Sequence, residues 1–260
     1  MSQLAAVVWD VDGTLAETER DGHRVAFNRA FEALGVPWRW DVARYGELLT
    51  VTGGRERLLR DMGTHADAPA LLAEREALAQ RLHERKNQFY AELVQDGAIA
   101  LRPGVVALMS ACADRGVRMA LATTTSRTNV AALLRVHLGV RWAAWFDVVV
   151  CGEDVRHKKP DPEVYLQVLA GLRLGPLQTL AIEDSPVGAA AARAAEVPVV
   201  VTRSVYFEQA TFDDAIAIGP GLHRRADWRP VLRGGHGDSP VGLDDLIDWH
   251  AQMDRVSQFG

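Results

Sequence analysis

Two aspartates near the start of the chain, Asp10 and Asp12, have the type and spacing of a catalytic pair. They follow the apolar run Leu4–Trp9, which has the length of a buried strand, and Gly13 allows the chain to turn immediately after them. Such a turn places both carboxylates at the edge of a sheet, where α/β folds bind ligands. Two charges held this close repel each other and require a compensating cation. Asp and Gly are also ordinary turn residues, so Asp10–Thr14 taken alone is equally compatible with a solvated turn.

Three further polar clusters follow apolar runs later in the chain. Hydroxyls occupy Thr123–Ser126, an acidic pair lies at Glu183 and Asp184, and a loop carries Lys158 and Lys159. If these runs are parallel strands, all four clusters fall at one edge of the sheet. Carboxylates suit Mg²⁺, a hard cation that prefers oxygen ligands, whereas hydroxyls, an ammonium group and helix N-termini suit a phosphoryl group. Each cluster alone is more typical of a helix cap or a turn, so their shared position is what indicates a site.

The elements that would position these clusters form an α/β pattern. Apolar runs of strand length alternate with helical segments, which predicts a doubly wound parallel sheet. A Gly-, Arg- and Pro-rich stretch at 219–240 is predicted to be an extended loop, and Val241–Arg255 a terminal amphipathic helix. The predicted strands are Leu4–Trp9, Val117–Ala122, Phe146–Val150, Thr179–Ile182 and Val197–Val201.

An insertion of about eighty residues separates the first two predicted strands. We therefore predict a core domain of residues 1–16 and 97–260 and an inserted α-helical cap domain of residues 17–96. Trp38 and Trp40 are expected in the cap core. The helices of the insertion are predicted at 17–35, 41–49, 55–62 and 69–95, with no strand among them.

The composition argues against a nucleic-acid-binding protein and against a membrane protein. A net charge of −5 gives no reason to expect nucleic acid or an anionic membrane as a partner, and no apolar run approaches the ~20 residues of a membrane span. Cys112 and Cys151 are expected to be buried thiols in a reducing compartment. No basic leader precedes the first strand. We expect a cytoplasmic protein, and a monomer.

Lysine is rare in this chain. It occurs only at positions 86, 158 and 159, and all other members of the 29 Lys and Arg residues are arginine. Ammonium and guanidinium groups are not interchangeable, so each remaining lysine is a candidate for a position that requires a compact cation. Chance retention is the alternative.

Taken in order, the four clusters resemble the motifs of the haloacid dehalogenase-like phosphatase superfamily, and the resemblance covers essentially the whole chain. It implies that Asp10 is the nucleophile that attacks phosphorus. It also implies that Asp12 protonates the leaving oxygen and later activates water, that Thr123 binds the phosphoryl oxygens, and that Lys159 offsets their charge. A carboxylate nucleophile divides one difficult displacement into two easier steps.

The same resemblance implies a Mg²⁺ cofactor. Asp184 would hold the ion together with Asp10 and the backbone carbonyl of Asp12, and Glu183 would assist directly or through a neighbour. The second aspartate also separates this motif from the dehalogenase branch, which lacks it.

Within the superfamily, the chain resembles the CbbY-type branch, the xylulose-1,5-bisphosphate phosphatases of Calvin-cycle organisms, which remove an inhibitor of Rubisco. The resemblance lies in Ala16–Glu19, Thr52–Arg57, Ala122–Ser126 and Lys158–Pro160. It implies a sugar bisphosphate as the ligand, with Arg55 and Lys86 binding the phosphate that is not transferred. The substrate-binding residues implied are Glu17, His23, Thr52, Gly53, Gly54, Arg55, Lys86, Thr124, Thr125 and Lys158.

Two alternatives to a phosphatase remain open. A β-phosphoglucomutase-like sugar phosphomutase shares the four motifs and a stretch like Arg85–Tyr90, but not the run Gly53–Arg57. His23 lies one residue farther from Asp10 than in the mutase pattern, which argues against a mutase-like proton relay. The other alternative is a catalytically silent binding protein, and the intact set of motif residues argues against it.

Overall fold

A parallel sheet forms the centre of the protein, as predicted. The structure is a computed structural model that describes residues 3–213, 215–230 and 237–256. In this part of the chain the sheet has six strands, all parallel, in the order β3-β2-β1-β4-β5-β6. The strands are β1 Ala6–Trp9, β2 Arg118–Ala122, β3 Val148–Val150, β4 Thr179–Glu183, β5 Val199–Thr202 and β6 Ala217–Gly219.

Alternation along β1 explains why both faces of the sheet are covered. Val7 and Trp9 pack into one hydrophobic cluster and Ala6 and Val8 into another, because successive side chains of a strand point to opposite faces. All four residues are fully buried. The helices of the core are α5 Val105–Asp114, α6 Arg127–Leu138, α7 Glu163–Leu172, α8 Pro186–Ala194 and α9 Leu243–Val256. No helix within the described residues is both long and apolar enough to cross a bilayer.

The sixth strand was not predicted. It has three residues and pairs with β5, and so short a segment carries no readable periodicity. The predicted loop at 219–240 begins one residue later than expected, and part of it packs into the core. Gly219 belongs to β6, and Trp228 is buried and stacks on Trp249 of α9 with ring centroids 4.8 Å apart. Residues 231–236 of that loop lie outside the described residues.

The insertion between β1 and β2 is helical, as predicted, and contains no strand. It starts with a π-helical turn at Glu19–His23 and has its own aromatic cluster around Phe27, Phe31 and Trp40. Trp38 also lies in that cluster. The domain boundaries at 16/17 and 96/97 stay a prediction. The helices are α1 Arg24–Ala33, α2 Val42–Leu48, α3 Gly54–Met62 and α4 Leu72–Gln95.

Two leucines of α4 test how much this second cluster stabilises the protein. Leu82 is fully buried and Leu72 is 69% exposed. We expect Leu82→Ala to lower the free energy of unfolding by about 2–5 kcal/mol, since it removes buried methyl groups and leaves a cavity. The control Leu72→Ala should change it by less than about 0.5 kcal/mol. Urea denaturation measures both, and equal losses would contradict a separately packed cluster.

Candidate active site

The position of Asp10 follows directly from the sheet. Trp9 pairs with Leu121 on one side and Ile182 on the other, so the next residue emerges at the carboxyl end of the central strand. The Asp10 N–H donates to the Ile182 carbonyl at 3.0 Å. Gly13 then turns the chain with φ 86°, and a Cβ there would lie 2.0 Å from Asp184 Oδ2. Only glycine meets both requirements.

Lys159 is the cation that compensates this acidic edge. Its Nζ donates to Asp10 Oδ1 at 2.7 Å, to Glu183 Oε1 at 2.6 Å and to the Ala122 carbonyl at 2.8 Å. All three ammonium donors are therefore used. Burial opposes the charged ammonium, but Asp10 and Glu183 outweigh it and hold the pKa of Lys159 well above its usual value.

One ammonium does not neutralise the carboxylates around it. Ligand atoms of Asp10, Glu183 and Asp184 lie within 4.8 Å of one another, and all three residues are buried. Burial, reinforced by the Glu183 charge, raises the pKa of Asp10 to about 7 despite Lys159. Burial and the charges of Asp10 and Glu183 also raise the pKa of Asp184. This shortage of positive charge, in a set made of oxygen donors, fits a divalent cation such as Mg²⁺.

Asp12 has a different environment from Asp10. Thr18 Oγ1 donates to its Oδ1 at 2.6 Å, and His23 Nε2 lies 3.0 Å from the same oxygen. Burial alone would raise the pKa of Asp12, but the charge and hydrogen bond of His23, with Thr18 and Lys86, lower it to about 2. The two aspartates are thus set apart in acidity, and Asp12 is the stronger acid of the two when no metal ion or ligand is bound.

His23 reaches Asp12 despite the longer spacing that argues against a mutase-like proton relay. His23 ends the π-helical turn Glu19–His23, and a π turn takes up one more residue than an α turn. The extra residue before His23 is therefore absorbed, and the imidazole reaches the aspartate. Its ring stacks on Tyr90 with centroids 4.3 Å apart.

Two cavities open at this edge of the sheet. The smaller has a volume of 60 Å³ and is lined by Asp10, Lys159 and Asp184, together with Glu17 and Thr52. Thr52 Oγ1 donates to the Lys159 carbonyl at 2.7 Å, so a loop of the insertion contacts the catalytic loop directly.

The larger cavity has a volume of 340 Å³ and extends under the helices of the insertion. The same four residues line both cavities: Asp12, Glu19, Arg57 and Thr124. The other predicted binding residues that line the larger cavity are His23, Gly53, Gly54, Arg55, Lys86, Thr125 and Lys158.

Two predicted site residues lie behind the cavity walls. Thr123 is 1% exposed, and its hydroxyl accepts from the Thr125 N–H at 3.2 Å. Glu183 is fully buried, its Oε1 is taken by Lys159 and Tyr165, and a Cβ on Gly188 would lie 2.0 Å from its Oε2. Neither is among the residues that line the two cavities.

All three lysines of the chain face this pair of cavities. Lys86 is 3% exposed, and the one hydrogen bond recorded for its ammonium in the described part of the chain is a 3.5 Å contact with Asn87 Oδ1. Burial lowers the pKa of Lys86 to about 8. Lys158 Nζ is 2.5 Å from Glu56 Oε1. The larger cavity therefore carries cationic groups that can receive an anion.

Comparison with known proteins identifies the family. A family model for haloacid dehalogenase-like hydrolases matches residues 4–196. The chain belongs to the haloacid dehalogenase-like hydrolases. The matched region contains Asp10, Asp12, Lys159 and Asp184.

Two similar proteins and one similar solved structure carry the name CbbY. Protein CbbY, plasmid, of Cupriavidus necator is 39% identical over 247 residues, covering 95% of this chain and 97% of the relative. Protein CbbY of Rhodobacter capsulatus is 42% identical over 227 residues, covering 87% and 92%. A crystal structure of a mutant CbbY from Rhodobacter sphaeroides in complex with xylulose-1,5-bisphosphate is similar with a TM-score of 0.75 and 40% identity, covering 82% and 92%.

Residues that sequence reasoning missed also contribute to the hydrolase site. Arg102 donates to the carbonyls of Thr202 at 2.9 Å and Arg203 at 2.7 Å, and also to the Gly13 carbonyl. It thereby ties the turn after Asp12 to the loop after β5. Its acceptors are distant in sequence, so no local signal marks it. Glu19 and Arg57 lie in recognised motifs, but neither was assigned a role.

Adjacent lysines provide a matched test of the charge balance in the hydrolase. Without Mg²⁺, Lys159→Met should lower the free energy of unfolding at pH 8 by about 3–5 kcal/mol, because two buried carboxylates lose their partner. Lys158→Met should cost less than about 1 kcal/mol, since its partner Glu56 is 44% exposed.

The loss in Lys159→Met should shrink between pH 8 and pH 5, because Asp10 and Asp184 have raised pKa values and take up protons in the folded state. Urea titrations in the presence of EDTA measure this. A loss that does not depend on pH would contradict the electrostatic explanation.

Proposed function

We propose that this hydrolase is a Mg²⁺-dependent phosphatase of sugar bisphosphates, with xylulose-1,5-bisphosphate as its substrate. The observation that carries the proposal is the pairing of two joined cavities. One contains the Asp10 and Lys159 cluster, and the other contains Arg55, Lys86 and Lys158. A molecule with a phosphate at each end would satisfy both. The CbbY relative in complex with xylulose-1,5-bisphosphate supports this choice of substrate.

The proposed reaction divides the work between the two aspartates. Asp10 attacks phosphorus and forms a phospho-aspartate, while Asp12 gives a proton to the departing sugar oxygen. Asp12 then removes a proton from water, which attacks the phospho-aspartate and releases phosphate. The negative charge of a bound phosphoryl group would raise the low pKa of Asp12 and favour its protonated form. Lys159 remains bonded to Asp10 and offsets the charge on the transferred group.

Asp10, Asp184 and the backbone carbonyl of Asp12 would hold the Mg²⁺. When bound, the ion would supply positive charge against the carboxylates and the phosphoryl oxygens. In this proposal Glu183 assists through Lys159, since its Oε1 is occupied and its Oε2 lies against Gly188. Thr123 acts through the turn that it forms with Thr125, which leaves Thr124 to contact the ligand.

A sugar phosphomutase is the second candidate, and the contact between His23 and Asp12 favours it. A histidine bonded to the general acid could relay protons to a second sugar phosphate. The phosphatase remains the main proposal because of the CbbY relatives and the Gly53–Arg57 run. The two differ in whether water or another sugar phosphate receives the phosphoryl group from Asp10.

Asp10→Asn should abolish release of inorganic phosphate while leaving the protein folded, because an amide is a far poorer nucleophile. Asp147→Asn is the control, since Asp147 pairs with Arg118 and its side chain is 47% exposed. The assay measures phosphate release from xylulose-1,5-bisphosphate with Mg²⁺, and we expect this release to be lost in EDTA. Turnover that survives Asp10→Asn would contradict the nucleophile, and interconversion of glucose phosphates with a bisphosphate primer would favour the mutase.

Arg55→Ala tests the site for the second phosphate. We expect kcat/KM for the bisphosphate to fall about 10- to 100-fold, which corresponds to a lost hydrogen bond to a charged group. For xylulose 5-phosphate and other monophosphates the change should stay within about threefold. Arg60→Ala is the control, since Arg60 is exposed on the same helix and lines neither cavity. An equal loss on both classes of substrate would contradict the assignment.

A further inference from the structure

The junction of the two cavities forms a passage whose walls are Asp12, Glu19, Arg57 and Thr124. If one phosphate lies at Asp10 and the other beside Arg55 and Lys86, the carbon chain between them has to cross this passage. The residues of the passage therefore face the middle of the ligand.

Glu19 is held in the passage by rigid partners. Its Oε1 accepts from Arg57 Nη2 at 3.0 Å, and its Oε2 accepts from Arg57 Nη1 at 3.3 Å and from the Tyr45 hydroxyl. Arg57 is fixed in turn by the Val51 carbonyl at 2.9 Å, and Tyr45 is fully buried. The carboxylate is thus oriented before any ligand arrives.

The acceptors of Glu19 are not all used. A carboxylate has about four lone-pair positions. Among the described residues, Oε2 receives two donors and Oε1 receives one. The side chain keeps 14% of its surface exposed, and it lines both cavities. One acceptor position on Oε1 is left for a donor from the ligand.

The charge of Glu19 restricts what that donor can be. A carboxylate repels phosphate oxygens and accepts only from N–H or O–H groups. Arg57 offsets the charge of the carboxylate, but the remaining acceptor position on Oε1 can bond a hydroxyl and not a phosphate oxygen. Asp12, the other carboxylate of the passage, already binds Thr18 and His23 through Oδ1.

We propose that Glu19 is a specificity-determining residue that accepts a hydrogen bond from a hydroxyl of the ligand's carbon chain, midway between the two phosphates. The inference rests on the proposed function, because it takes both phosphate positions from it. According to this proposal, the oriented carboxylate of Glu19 makes the protein prefer a polyhydroxylated chain over a plain alkyl chain. A site built to bond a hydroxyl discriminates strongly against a ligand without it.

A purely structural role would make Glu19 only a link between the π-helical turn, α2 and α3. Tyr45→Phe separates the two roles, since it removes one bond of the link and keeps the carboxylate. Its effect should appear in the urea midpoint and leave ligand discrimination within about threefold of the parent protein.

The experiment uses the full chain in an Asp10→Asn background, which does not turn over, with Glu19→Gln added or not. Calorimetry measures the Kd of xylulose-1,5-bisphosphate and of 1,5-pentanediol bisphosphate, which has both phosphates and no hydroxyl. Glu19→Gln should weaken binding of the sugar about 10-fold, because a hydrogen bond to a neutral amide oxygen is weaker than one to a carboxylate. Binding of the alkyl analogue should stay the same or tighten, because a repelling charge is removed.

An equal loss of affinity for both ligands, or equal affinity of the Asp10→Asn protein for both, would overturn the inference. Phosphate release by the wild-type protein tests the proposed function separately. Selective, Glu19-dependent binding of the sugar without any turnover would uphold the inference and overturn the phosphatase. Turnover of the sugar bisphosphate without any effect of Glu19→Gln would support the phosphatase and overturn the inference about Glu19.

Discussion

Charge balance at the carboxyl end of β1 governs the arrangement of the rest of this protein. Asp10, Glu183 and Asp184 are buried together, and carboxylates in such surroundings are stable only beside cations. Lys159 provides one positive charge through three short hydrogen bonds. The negative charge that Lys159 does not compensate makes the site suitable for a metal ion. The buried charge that costs stability is therefore the same charge that prepares the site for its ligands.

The helical insertion contacts the loop that carries Lys158 and Lys159, in addition to covering the acidic site. Thr52 bonds to the Lys159 carbonyl, and Glu56 pairs with the neighbouring Lys158. Consecutive residues of one loop are thus held by the helical insertion while their side chains serve different cavities. The two cavities share one continuous surface, since Glu19 and Arg57 border both of them.

The sequence allowed the prediction of most of the fold and of the acidic centre, because both depend on local patterns. Buried strands are apolar runs, and a residue just after a run must lie at the sheet edge, which placed Asp10, Thr123 and Glu183 correctly. The short strand β6 and the burial of Trp228 escaped because they depend on contacts between distant segments. Arg102 escaped for the same reason, since its acceptors are backbone carbonyls that carry no sequence signature.

The π-helical turn at Glu19–His23 has a consequence for comparing this chain with its relatives. An α-helix rotates by about 100° per residue, so one extra residue changes which side chains share a face across the turn. In this chain Glu19 and His23, the first and last residues of the turn, border the same cavity. An alignment without a gap here would pair residues that point in different directions.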